Sequence, residues 1–139
     1  MSEAAAPRPT RLTSNLALHA HAADPCPLED FFTPRTIAVV GASRDPRKLG
    51  YIILHNLLRG GFRGQVHVVN ISGEPVLGVT AYTSLSAIPG KVDLAVIVVP
   101  AGDVPQVIDD CVNAEVPAAV IISAGFRESG AQGVARERD

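Results

Sequence analysis

Thr36-Ile37-Ala38-Val39-Val40-Gly41-Ala42-Ser43-Arg44-Asp45-Pro46-Arg47-Lys48-Leu49-Gly50 decides the fold of this chain. The first five residues are a β-branched run, apolar on both faces, as expected of a strand buried in a parallel sheet. Gly41 ends the run, and Leu49, Ile53, Leu54, Leu57 and Leu58 then repeat at helical spacing until Gly60 and Gly61. Strand, glycine-bearing loop and helix in that order form the opening of a βαβ unit.

The same alternation continues towards the C-terminus. Gln65 to Val69 reads as a second strand, Thr80 to Tyr82 as a short third, and Val92 to Val99 as a long buried one. A turn of helix capped by Ser84 follows the third. Asp103 is placed to cap a helix with Pro105 in its first turn and Val104, Val107, Ile108, Cys111 and Val112 as its apolar stripe. Asp109 and Asp110 flank that stripe and read as solvated. Ala118 to Ser123 is a further strand, and Ala131 to Asp139 begins another helix. The pattern predicts an α/β fold, a Rossmann-like doubly wound parallel sheet in three layers.

Length and composition agree with this. The chain has 139 residues, 47% hydrophobic and 19% charged, which suits one domain with an ample core. Residues 1–27, rich in Ala and Pro without an apolar period, read as a disordered tail, leaving 28–139 as the domain. His19, His21 and Cys26 in that tail make a poor metal set, and no metal is expected. The longest apolar run, Leu94 to Val99, is strand-sized, so no membrane span is expected. Cys26 and Cys111 form no disulfide framework, so a reduced cytoplasmic setting is the default.

The net charge of −2 hides an asymmetry. Residues 35–63 carry Arg35, Arg44, Arg47, Lys48, Arg59 and Arg63 against Asp45 alone. Charge concentrated in this way points to a local anion site, not a nucleic-acid surface.

In a doubly wound sheet ligands sit beyond the carboxyl ends of the strands, against a helix N-terminus. The loops at Gly41–Gly50, Asn70–Gly73, Pro100–Asp103 and Ser123–Gly125 are therefore the candidates. Gly41 permits a sharp turn, Gly50 permits close backbone approach at the helix start, and the helix N-terminus favours a phosphate. The loop lacks the strict G-x-G-x-x-G fingerprint and the Walker Gly-Lys-Ser/Thr. Asn70 stands where a NAD binder places an acid at the end of the second strand. Catalytic groups are scarce. Ser43 and Ser123 have no histidine near them in sequence, His55 and His67 lie within a helix and a strand, and Cys111 reads as core.

A wider set of residues carries a family resemblance. Leu28-Glu29-Asp30-Phe31-Phe32-Thr33-Pro34-Arg35 leading into Thr36–Ser43 resembles the N-terminal region of NDP-forming acyl-CoA synthetases and of the related bacterial protein lysine acetyltransferases. The likeness continues through Val76-Leu77-Gly78, Ala81-Tyr82, Val92–Ile97, Pro100-Ala101 and Ser123-Ala124-Gly125-Phe126, over about residues 28–130. The first domain of that family binds coenzyme A and is similar to that of the succinyl-CoA synthetase α subunit. The resemblance implies that Gly41, Ser43 and the loop through Gly50 hold the CoA phosphates. It also implies that Asn70, Val99, Pro100, Ile122, Ser123 and Ala124 line the nucleotide and pantetheine path.

The family follows the Asn with Pro and Lys, whereas this chain has Ile71 and Ser72. Phosphate charge then falls to Arg44, Arg47 or Lys48. The family's chemistry uses a CoA-ligase domain with a phosphorylated histidine, an ATP-grasp domain or a GCN5-type acetyltransferase domain, and none of these fits in 139 residues. The expectation is a CoA or acyl-CoA binding domain without turnover of its own, lacking its last strand and prone to self-association through Val120, Ile121 and Ile122 at that edge. The rivals are an NAD(H) redox sensor and a non-catalytic interaction module.

Overall fold

The computed structural model describes residues 27–124 together with Gly130 and Ala131. His19, His21, Cys26, Gly125 and Phe126, and most of the expected final helix, fall outside those residues. Five parallel strands carry the fold: β1 (Thr36–Val40), β2 (Gln65–Val69), β3 (Ala81–Tyr82), β4 (Leu94–Ile97) and β5 (Ala118–Ile121). Their spatial order is β3-β2-β1-β4-β5, the doubly wound arrangement. Thr36 pairs with Gln65 on one side, and Ile37 with Leu94 on the other. The chain winds outward from β1 first one way and then the other, so the topology switches between β1 and β4.

Side-chain alternation sends β1 residues to two cores. Ala38 and Val40 pack with Leu85, Ile88, Val104 and Cys111, whereas Ile37 and Val39 pack with Leu54, Val68 and Val76. Among the described residues three helices flank the strands: α1 (Pro27–Phe32), α2 (Leu49–Arg59) and α3 (Val104–Asn113). Leu54 of α2 and Cys111 of α3 thus belong to opposite layers, as expected of a doubly wound sheet. The apolar stripe of α3 holds except at Val112, which is 70% exposed at the rim of the helix face. The Cys111 thiol is pushed up to about 11, first by burial and then by the nearby Asp110 carboxylate.

Four local expectations need correction. The strand expected over Val92 to Val99 is shorter because the Asp93 carboxylate accepts from the Arg35 and Thr36 N–H groups at its start (2.9 and 3.0 Å). At its end β1 turns away at Gly41, whose N–H donates to Val69 O (2.8 Å). Ser84 and Asp103 occupy N-cap positions, yet neither side chain makes a capping bond. The backbone of Asp103 is already helical, because a short 3₁₀ turn (Ala101–Asp103) runs straight into α3. The short turn at Leu85–Ala87 is capped from another element. Asp110 of α3 accepts from the Leu85 N–H (2.6 Å) and the Ser86 hydroxyl (2.6 Å), so it is a structural anchor and not a solvated flank. A helix at Pro27–Phe32, unmarked by any apolar period, lies against β5.

Candidate functional site

Everything that leaves the carboxyl ends of β1, β2 and β4 converges on one cleft of about 1110 Å³. Steric exclusion shapes its floor. Gly41 has φ +91°, and a Cβ there would collide with the Val98 carbonyl oxygen as β4 exits. A Cβ on Gly50 would collide with Gly41 O and sit 3.0 Å from Ala42 Cα. The two glycines therefore let α2 begin directly on top of the turn that ends β1. The first N–H groups of any helix lack intrahelical acceptors, and here the first turn carries no acid.

The loop between those glycines is internally braced. The Asp45 N–H donates to Ser43 Oγ (3.1 Å), and the Lys48 N–H donates to Asp45 O (3.0 Å). The Arg47 guanidinium donates to both Asp45 oxygens (3.0 and 2.9 Å), which holds the Asp45 carboxyl below the usual carboxylate range. Arg47 is spent on that pair, with its side chain 88% exposed and outside the cleft lining. Arg44 and Lys48 do line the cleft. Arg44 is ion-paired to Glu74 (2.6 Å), and Lys48 has no ion-pair partner among the described residues.

At the end of β2, the Asn70 N–H donates to Tyr82 O (3.0 Å) and so joins the loop to β3. Asn70 also lines the cleft, as do Val99 and Pro100 beyond β4. Ile122, Ser123 and Ala124 do not line it. Ser123 reaches it indirectly, its hydroxyl donating to Val99 O (2.6 Å). Of the residues singled out in the sequence, eight gather here: Gly41, Ser43, Arg44, Lys48, Gly50, Asn70, Val99 and Pro100.

Sequence reasoning reached the opposite wall only at Asp103, through the Pro100–Asp103 loop, and missed the rest of it. Asp103, Gln106, Asp110 and Asn113 face the basic loop across the cleft. Their spacing of three, four and three was a legible signal, a polar stripe running beside the apolar one. Ile71 and Ser72 also line the rim, with Ile71 99% exposed. No group of His, Cys, Asp and Glu suited to a metal ion occurs among the described residues. No described helix is long and apolar enough to cross a membrane.

The CoA binding domain family matches residues 35–139. The chain belongs to the CoA binding domain family. It is 49% identical over 112 residues to the α subunit of ADP-forming acetate–CoA ligase II of Pyrococcus furiosus, covering 81% of this chain and 24% of that one. It is 42% identical over 111 residues to ADP-forming acetate–CoA ligase II of Archaeoglobus fulgidus, covering 80% of this chain and 16% of the relative. Among solved structures, the dinucleotide-forming acetyl-coenzyme A synthetase 1 of Ca. Korarchaeum cryptofilum, in complex with phosphate and ADP, superposes with a TM-score of 0.75 at 48% identity. That match covers 80% of this chain and 24% of the synthetase. The chain thus spans about a quarter or less of the length of these relatives. The domain they share with it is a Rossmann-like α/β unit.

Proposed function

We propose that this chain binds coenzyme A or an acyl-CoA in the cleft above β1, β2 and β4, as the CoA-holding domain of an ADP-forming acyl-CoA ligase. The observation that carries the reading is the close stacking of Gly50 on Gly41, which brings the head of α2 to the cleft floor within a chain of the CoA binding domain family. In this reading Gly41, Ser43 and Gly50 receive the pyrophosphate, with Arg44 and Lys48 supplying positive charge. Val99 and Pro100 line the pantetheine path. Ser123 holds the Val99 carbonyl, while Ile122 and Ala124 flank it. Arg47 acts on the loop by bracing Asp45.

The thioester chemistry belongs to further domains of the ligase type, a CoA-ligase domain and an ATP-grasp domain, which these 139 residues do not contain. A ligase parent is favoured over a protein acetyltransferase because the relatives described above are CoA ligases or synthetases. An NAD(H) sensor is disfavoured by Asn70, whose amide is engaged by Glu74 O (3.0 Å) and whose Oδ1 accepts from the Ser72 hydroxyl (3.1 Å). The acid of that turn, Glu74, is paired with Arg44 (2.6 Å) and stays outside the cleft lining, so it does not stand ready for ribose hydroxyls.

Calorimetric titration with CoA and with NADH separates the readings. CoA should bind and NADH should not. NADH binding without CoA binding would overturn the proposal, and binding of neither would favour a scaffold. The chain by itself should form no acyl-CoA from ATP, acid and CoA.

A further inference from the structure

In this fold the end of the second strand faces the ribose of a bound nucleotide. An acid there receives ribose hydroxyls, and a nearby arginine receives a phosphate carried on the ribose. In this chain that place is occupied by a turn and an ion pair. The Glu74 N–H donates to Ser72 Oγ (3.3 Å), the Ser72 hydroxyl donates to Asn70 Oδ1 (3.1 Å), and Asn70 Nδ2 donates back to Glu74 O (3.0 Å). This closed circuit fixes the backbone of Glu74. Its carboxylate then meets Arg44, from the loop after β1, at 2.6 Å.

Arg44 therefore spans from the β1 loop to the β2 turn and lines the cleft, while Glu74 stays outside the lining. No lysine or arginine lies in the turn itself, where Ile71 and Ser72 stand. The pair is solvent-exposed, with side chains 68% and 52% accessible, so it is weak. A bidentate guanidinium contact with a phosphate dianion is among the stronger polar contacts and displaces such a partner.

We propose that the Arg44–Glu74 pair is a ribose-phosphate reader at rest: Arg44 takes the phosphate on the ligand's ribose, and Glu74 is the carboxylate it gives up to do so. This rests on the CoA-binding reading above and assigns to one residue the discrimination that the basic loop shares out. Glu74 also sets the strength of that discrimination, because its charge opposes the incoming dianion.

The test is calorimetric titration of the full chain and three variants with CoA and with dephospho-CoA, which differ only in the 3′-phosphate. The readout is the ratio of the two affinities, in which effects common to both ligands cancel. The unaltered chain should prefer CoA about tenfold at low salt, and less as salt rises. Arg44→Glu should abolish the preference. Arg44→Glu combined with Glu74→Arg should restore it, since the cation then stands on the other side of the same pair. Glu74→Gln should widen the preference about two- to fivefold by removing the competitor. Circular dichroism of each variant checks that it is folded.

A preference that survives Arg44→Glu, or that fails to widen in Glu74→Gln, would overturn the reader while leaving CoA binding intact. If the unaltered chain bound neither CoA nor dephospho-CoA, the functional proposal itself would fall. A parallel arm with NADP⁺ and NAD⁺ distinguishes the source of the ribose phosphate. A preference for NADP⁺ obeying the same charge swap would keep the reader and remove CoA as its ligand.

Discussion

The exits of β1 and β5 lie on the same side of the sheet, yet they are built on different physics. Residues Ile37 to Val40 are all buried, and the chain leaves β1 through a glycine whose position excludes any side chain. Backbone collisions fix that exit, and α2 rests on it. At β5 no position is fully buried: half-buried and exposed residues alternate, with Ile121 45% exposed and Ile122 beyond it 39% exposed. That exit is tied to its neighbour by the Ile122 N–H to Ile97 O (2.8 Å) and by the Ser123 hydroxyl to Val99 O. The centre of the sheet thus forms the cleft floor through close backbone contacts, whereas the β5 edge stays outside the cleft lining and touches it only through Val99.

The division can be broken at its centre. Gly41→Val combines a left-handed backbone with a collision against Val98 O, and should cost about 4–5 kcal/mol in chemical denaturation and abolish CoA binding. The obstruction comes from the exit of β4 and not from the ligand's own approach, so the loss of stability should precede any ligand effect. Leu54→Ala empties a fully buried position under the floor. It should cost about 3 kcal/mol and leave the affinity of the folded fraction near its original value. Asp110→Ala removes the acceptor for Leu85 and Ser86, and should cost about 1–2 kcal/mol while loosening the wall beyond β3. At the edge, Ser123→Ala should cost only about 0.5–1 kcal/mol of stability, read in the same denaturation series. The ordering is the substance of the comparison. A larger loss at Ser123 than at Leu54 would reverse the roles assigned to centre and edge.

Cys111 offers a chemical check on the core beneath α3. With its thiol pushed up to about 11 and buried, it should resist alkylation at pH 8 in a Cys26→Ser background and react fully once the chain is denatured. The sign for stability follows. A folded-state value above the unfolded one favours the native state below the ordinary thiol range, and that advantage is lost as pH rises towards 11. Cys111→Ala should flatten that part of the stability profile.

Much of this was legible in the sequence. β1 appears residue for residue as an apolar run buried on both faces, and β2, exposed at Gln65 and half-buried at Val66 and His67, is legible from its valines and its end at Asn70. The start of α2, its end at Gly60 and the apolar stripe of α3 follow from local periodicity. What was not legible is non-local. Asp110 looks solvated until its partners, 25 residues earlier in the chain, are folded against it. Arg44 looks like a free cation until Glu74 arrives on the neighbouring turn. Asp103 looks like a cap until the preceding 3₁₀ turn removes the geometry a cap requires. The glycines pointed to the candidate phosphate loop, whereas the polar stripe of α3, legible by its spacing, carried no sign of what it faces until α3 was placed beside the cleft.

The central claim is that the backbone between Gly41 and Gly50 receives the ligand's phosphates. Amide chemical-shift mapping during titration with CoA tests it most directly. The account predicts saturable shifts at Ala42, Ser43, Leu49 and Gly50, accompanied by Asn70 and Val99, with His55 on the outer turns of α2 unmoved. Saturable CoA binding that left residues 41–50 unshifted, or no binding at millimolar CoA, would contradict it.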